Sequence, residues 1–323
     1  MLTTLEQATT LIKAGKVLSI AGDEKILSNL PRGNWIAGTI PYFIDERGGT
    51  FSRDQVFVTE LPTDFTKPAI RFYDEKAIEG IARDSPESGL SFLILPATSG
   101  VHLHYAQHGP DFPEMFMKPI VGWVSGVALD DLGKVKPKVF NGITGESSSD
   151  AAIVMHLTLP AGSHAKISIL NIFHQGSGDV LQFAEDGFSA ADVIVNGKKQ
   201  GFVDYVKRMK VDTKLPLVAD FAGARINTSF QSVDEAAGRV NFYAPVFKGV
   251  DYKLASPVGD YVAAFEEKLR AVRGSRPFFA CNCILNYLYG ELEGKKTGAV
   301  TGPITFGEVA YQLLNQTLVM VEL

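Results

Sequence analysis

The sequence predicts an α/β or α+β protein of two domains, each a mixed sheet flanked by helices. Three observations carry this prediction. A pattern of strand, helix, glycine-bearing strand and further strand occurs three times along the chain. The stretch between the second and third occurrences alternates apolar and polar residues, as half-buried strands do. A length of 323 residues suits roughly two domains at about 150 residues each.

The elements follow in order. A short helix opens the chain within residues 1–15, over residues 2–13. The first copy of the pattern has a strand at 16–21, a helix at 22–30 closed by Pro31, a strand at 34–43 and an alternating strand at 55–61. The second has a strand at 90–95, a helix at 99–108 stopped by Gly109 and Pro110, a glycine strand at 119–128 and a strand at 151–159. The third has a strand at 277–281, a helix at 284–293, a glycine-bearing segment at 301–308 and a strand at 316–322. Between copies two and three, residues 165–173 and 240–246 read as strands, and Asn196-Gly197 signals a hairpin. Residues 258–270 read as a helix with Val262, Phe265 and Leu269 on one stripe. Turn formers crowd residues 174–190. They place a domain boundary there, giving domains at 16–178 and 179–323.

Composition narrows the function classes. Lys plus Arg number 31 against 36 Asp plus Glu, a net charge of −5. This argues against nucleic-acid binding through a general basic field. No apolar run is long enough to span a membrane, and residues 1–16 lack the basic-then-apolar order of a signal peptide. Cys281 and Cys283 are the only cysteines, too few and too close for a disulfide scaffold. A cytoplasmic protein with reduced thiols is the expectation.

Most catalytic motifs are absent. Gly294-Lys295 and Gly197-Lys198 lack the earlier glycine of a P-loop, with Tyr289 and Asp192 in its place. Gly176-Ser-Gly178 lacks the third glycine of a dinucleotide fingerprint, with Leu181 there instead. His102, His104 and His108 form His-x-His-x-x-x-His. On a helix His104 and His108 share a face, while His102 lies about 200° away from His104. Three-point metal binding is therefore not expected, nor is any cofactor.

The run around Cys281, Asn282 and Cys283, followed by Asn286 and Tyr287, is the most informative. It stands where a strand hands over to a helix, where Asn can cap and free N–H groups can hold an anion. A thiol at such a place can have its thiolate stabilised. Thr305 and Glu308 lie in the glycine-bearing segment that follows. The plainer alternative has Asn282 as a cap and the cysteines as small core side chains.

These residues resemble the C-terminal signature of FIST domains, a sensory module. The matching positions are Phe279 and Cys281, Glu291 and Glu293, Gly307 and Glu308, and Asn315 and Thr317. Trp35-Ile-Ala-Gly-Thr39 and Val121-Gly-Trp-Val-Ser-Gly126 resemble the family's glycine strands. Cys283-Ile284 and Gly302-Pro303 depart from its pattern. The resemblance implies a bacterial signal-transduction protein that senses a small molecule, of the amino-acid kind. Its output would pass through a separate signalling partner or a homodimer.

The expected site is a cleft between two domains, lined by Cys281, Asn282, Asn286, Tyr287, Thr305 and Glu308. Gly38 and Gly122 would form backbone walls, since glycine admits close approach. Trp35 and Trp123 could stack on the ligand or fill core. Two alternatives remain at this stage: a thiol-dependent enzyme using Cys281 or Cys283, and a non-catalytic interaction module.

Overall fold

The computed structural model describes every residue except 64–66, 222 and 272–276. Repeat 1 comprises β1 (Leu2–Thr3), α1 (Leu5–Lys13), β2 (Leu18–Gly22), α2 (Glu24–Leu27) and β3 (Trp35–Thr39). A hairpin of β4 (Tyr42–Asp45) and β5 (Gly48–Phe51) follows, then β6 (Val56–Glu60). Repeat 2 comprises β7 (Ala69–Tyr73), α3 (Ile81–Asp84), β8 (Gly89–Pro96), α4 (Gly100–His108) and β9 (Ile120–Ser125). Its hairpin is β10 (Val139–Asn141) with β11 (Ser147–Ser148), and β12 (Ala152–Thr158) ends it.

Repeat 3 opens with β13 (Lys166–Leu170) and is then interrupted by a lobe. The lobe holds β14 (Leu181–Gln182), β15 (Gly187–Ala190), β16 (Asp192–Val195), β17 (Lys198–Gly201) and α5 (Phe202–Met209). It continues with β18 (Leu217–Phe221), β19 (Ala224–Thr228), β20 (Phe230–Asp234), β21 (Arg239–Val246) and β22 (Tyr252–Leu254). Repeat 3 resumes with α6 (Tyr261–Ala271), β23 (Phe279–Cys283), α7 (Ile284–Tyr289) and β24 (Gly302–Thr305). The hairpin of β25 (Glu308–Ala310) and β26 (Gln312–Leu314) precedes the last strand, β27 (Leu318–Glu322).

The mixed α/β architecture and its internal repeats are those the sequence predicts. In each repeat one strand runs parallel to the strand after its helix and antiparallel to the final strand. These are β2 with β3 and β6, β8 with β9 and β12, and β23 with β24 and β27. A parallel pair requires a crossover, which α2, α4 and α7 supply.

The hairpins are exchanged in a cycle. β4 pairs with β24 of repeat 3, β10 with β3 of repeat 1, and β25 with β9 of repeat 2. Three six-stranded sheets of one design result: β1-β6-β2-β3-β10-β11, β7-β12-β8-β9-β25-β26 and β13-β27-β23-β24-β4-β5. No repeat can complete its own sheet.

The three sheets share one interior. Ile36 and Phe43, Phe92 and Trp123, and Phe279 and Val319 belong to the same buried cluster. The opposite faces pack under helices. Leu18 and Ile20 lie with Ile12 of α1, Leu93 and Val124 with Tyr105 of α4, and Ala280 and Met320 with Phe265 of α6. The strands are thus covered on both faces, which is why several read as unbroken apolar runs.

Local chemistry sets the boundaries. Thr4 and Gln7 form a capping box on α1, and Ser99 caps α4 by accepting from His102 N at 3.2 Å. Asn196 and Gly197 both have positive φ, the hairpin turn expected of that pair. The expected strand at 34–43 is broken, because Pro41 cannot donate to a ladder and the chain leaves for repeat 3. α2 is shorter than the expected helix at 22–30, and α7 stops at Gly290 rather than reaching residue 293.

The crowded turns at 174–190 mark the entry to the inserted lobe. Ser256 N donates to His174 O at 2.9 Å and Gly176 N to Leu254 O at 2.8 Å, so the lobe enters and leaves at adjacent points. It has its own apolar cluster around Phe183, Phe202 and Phe242. Residues 279–322 lie beyond it, among the strands of the shared core.

Candidate functional site

The structure gathers most of the expected site residues at the end of β23 and the start of α7. Glu308 on β25 is fully buried. Its Oε2 accepts from Thr317 Oγ1 at 2.7 Å and Thr317 N at 3.2 Å, and Thr305 Oγ1 donates to Oε1 at 3.5 Å. Asn282 Oδ1 accepts from Cys283 N at 2.8 Å and from Asn286 Nδ2 at 2.9 Å. Cys281 Sγ faces Gly122 O at 3.7 Å. Thr317 is the member that the sequence reading left out of the site, although its Asn-x-Thr run was visible.

Two expected details change. The N-cap of α7 is Cys283, not Asn282, and no side chain makes the cap bond. Asn282 sits one residue earlier and braces Asn286 across the first turn. The glycines are approached by the protein itself. A Cβ at Gly122 would lie 1.7 Å from Leu93 O, and one at Gly38 would lie 2.7 Å from Trp123 Cη2. Trp35 packs under α1 and α2, with its Nε1 donating to Pro31 O at 2.8 Å.

This cluster is closed. The space beside Cys281 and Asn282 is about 10 Å³, room for roughly one water. Asn282 Nδ2, Asn286 Oδ1 and Tyr287 Oη find no partner among the described residues. The Tyr287 ring instead lies tilted against Tyr42, ring centres 5.7 Å apart.

The electrostatics follow from burial. Withdrawal from water pushes the Glu308 carboxyl up to about 8, although its Thr317 and Thr305 hydrogen bonds pull the other way. Burial also pushes both thiols well above their usual value, and the neighbouring Glu308 adds to it. These surroundings oppose thiolate formation. Thiol titration at pH 7.5 is therefore expected to find neither cysteine in the folded chain and both after denaturation. Stoichiometric labelling of the folded chain would overturn this account.

The three histidines of α4 do not converge. His102 is buried, accepting from Thr98 N at 3.2 Å through Nδ1, and desolvation lowers its pKa to about 4. The rings of His104 and His108 lie 4.9 Å apart, tilted to each other, and His104 Nε2 lies 3.0 Å from Glu79.

An open pocket of about 390 Å³ lies elsewhere, between repeats 1 and 2. It stands where β2 and β3 end, opposite the loop that follows β9. Thr39, Ile40 and Pro41 line it together with Gly126, Val127 and Ala128, the two segments being joined where Gly126 N donates to Thr39 O at 2.7 Å. Arg53 spans the two repeats, its Nη1 3.2 Å from Asp23 and its Nη2 2.8 Å from Asp131. Glu24, Lys25 and Lys136 complete the charged lining. The walls come from the turns that end the two glycine strands, but neither Gly38 nor Gly122 lines the opening.

Among the described residues no helix is long and apolar enough to cross a membrane. A family model described as "Family of unknown function (DUF6976)" matches residues 3–323, and the chain belongs to that family. This overturns the FIST resemblance, because the family that spans the chain is a different one. The sensory and signalling roles that rested on the resemblance lose their support. The short motifs that suggested it have local packing reasons here: Glu308 braces Thr317, and strand glycines admit neighbouring backbone. No curated protein and no solved structure matches the chain.

Proposed function

We propose that this member of the DUF6976 family binds a small polar molecule in the pocket between repeats 1 and 2. The observation that carries the reading is the pocket's place. It opens at the carboxyl ends of parallel strands, where the chain turns away to either side and ligands of α/β proteins commonly bind. Its lining supports a ligand that bears both charges, of the amino-acid kind. Asp23 and Asp131 bring carboxylates that share their charge with Arg53, Lys25 and Lys136 offer ammonium groups, and Ile40, Pro41 and Val127 offer apolar surface. The Arg53 bridge holds the two repeats at a set distance across the opening.

A thermal-shift screen against amino acids, nucleotides and common metabolites tests this. A ligand at 100 times its dissociation constant adds about 2.7 kcal/mol to the folded state. The shift is expected to shrink in Asp131→Asn and in Lys136→Glu. No shift from any compound would sink the reading. A protein-interaction module is the second reading, favoured by Phe116 and Met117, which are 60% and 80% exposed. Failure of the screen would move the weight to that surface.

A further inference from the structure

A second opening, of about 490 Å³, lies in the seam between the inserted lobe and repeat 3. One side is β13 and the residue after it, Asn171. The other is the β18–β19 hairpin of the lobe, and α6 brings Lys268 to the same space. We propose that this seam binds a small organic anion. Its carboxylate or phosphate oxygens lie between Arg225 and Lys268, and its apolar part lies along Ile169 and Ile226.

Charge is the first support. Arg225 and Lys268 are both half-buried, yet among the described residues neither forms an ion pair with a carboxylate. The nearby acids are otherwise disposed. Asp220 stands opposite Arg225 in the hairpin register, but its Oδ1 accepts from Gly223 N at 2.6 Å. Glu266 pairs with Arg270 at 3.3 Å, and Glu267 is an exposed carboxylate whose charge acts on His174. A chain with a net charge of −5 thus leaves two cations together, partly withdrawn from water. Such cations are best satisfied by a partner anion.

Preorganisation is the second support. Arg225 Nη1 donates to His174 Nδ1, which spends one of the five guanidinium donors and leaves the rest of the fork. Asn171 Nδ2 donates to Arg225 O at 3.1 Å, tying the hairpin to the strand across the seam. Burial and the two adjacent cations, against a smaller pull from Glu267, lower the His174 pKa, which favours the neutral ring that an acceptor needs. Ile169 is 41% exposed and Ile226 half-buried, an apolar strip beside the charged end. Arg225 belongs to the lobe and Lys268 to repeat 3, so an anion between them also fastens the lobe to the core.

Titration calorimetry of the full chain at constant ionic strength in chloride tests the proposal, with inorganic phosphate, acetate and hexanoate as probes. Binding of phosphate or hexanoate is expected. Arg225→Gln and Lys268→Gln are each expected to weaken it roughly tenfold or more, the loss of a charged hydrogen bond. Lys199→Gln, on the lobe surface, is expected to leave it unchanged, and circular dichroism checks that each variant folds. Phosphate alone would assign a phosphate head. Hexanoate binding well above acetate would assign a carboxylate with an apolar body. The proposal is overturned if none of the three binds, or if the Arg225, Lys268 and Lys199 variants bind alike.

Discussion

Trp123→Ala is expected to destabilise the three-repeat core by about 3–5 kcal/mol, the usual range for truncating a buried tryptophan. Its indole is wholly buried and occupies the space that Gly38 leaves open. Gly38 lies on β3 of repeat 1, Trp123 on β9 of repeat 2, and Glu308 of repeat 3 stands opposite Trp123 in the β25 register. Trp123 therefore sits in the buried cluster where strands of all three repeats meet. The exchanged hairpins hold the surrounding sheets apart, so the cavity left by alanine cannot collapse fully. Trp123→Phe is expected to lose much less, because Nε1 has no partner among the described residues and its removal relieves a buried donor. The chain has two tryptophans, so in Trp123→Ala the fluorescence of Trp35 reports repeat 1 alone. A lower denaturation midpoint at Trp35 shows that the repeats unfold together. An unmoved midpoint would show that they do not share a cooperative core.

What the sequence reveals is what is local. Strand, crossover helix and returning strand are legible because each is set by apolar runs, caps and glycine or proline stops within about ten residues. The hairpin exchange is not legible. It pairs Ile44 with Gly302 and Val139 with Gly38, contacts whose register is set only by the assembled core. The cluster at Cys281, Asn282, Asn286, Thr305 and Glu308 was legible as a group because strand β23, helix α7 and strand β24 are consecutive. Its closure was not, since it depends on Gly122 of β9 beside Cys281 and on Thr317 bonded to Glu308. The pocket between repeats 1 and 2 was invisible for a related reason. Asp23, Arg53 and Asp131 sit on three separate loops that share no motif, and only folding brings them within bonding distance.

Glu308 is expected to make the chain less stable as pH rises from 4.5 towards 8, and Glu308→Gln is expected to remove that slope. The sign follows from where the proton is held. The carboxyl has an ordinary value of 4.5 and is raised to about 8 by burial in the folded chain. Between those values the folded chain keeps a proton that the unfolded chain releases, so raising the pH favours unfolding. The contribution is complete below 4.5, declines through the window and is gone above 8. Each unit is worth ~1.4 kcal/mol, so the whole change is on the order of a few kcal/mol. His102 and His156 act in the opposite sense. Burial lowers both to about 4, so their contribution is lost as pH falls from 6.5 through 4. The informative quantity is therefore the difference between Glu308→Gln and the parent chain, in which the histidines cancel. Glutamine keeps the bond that Thr317 donates and offers Thr305 a donor that never ionises. Its advantage is expected to grow steadily from pH 5 to pH 8 in denaturant titrations. Parallel profiles across that range would mean that Glu308 does not hold its proton in the folded chain, and that the Thr317 bonds outweigh burial.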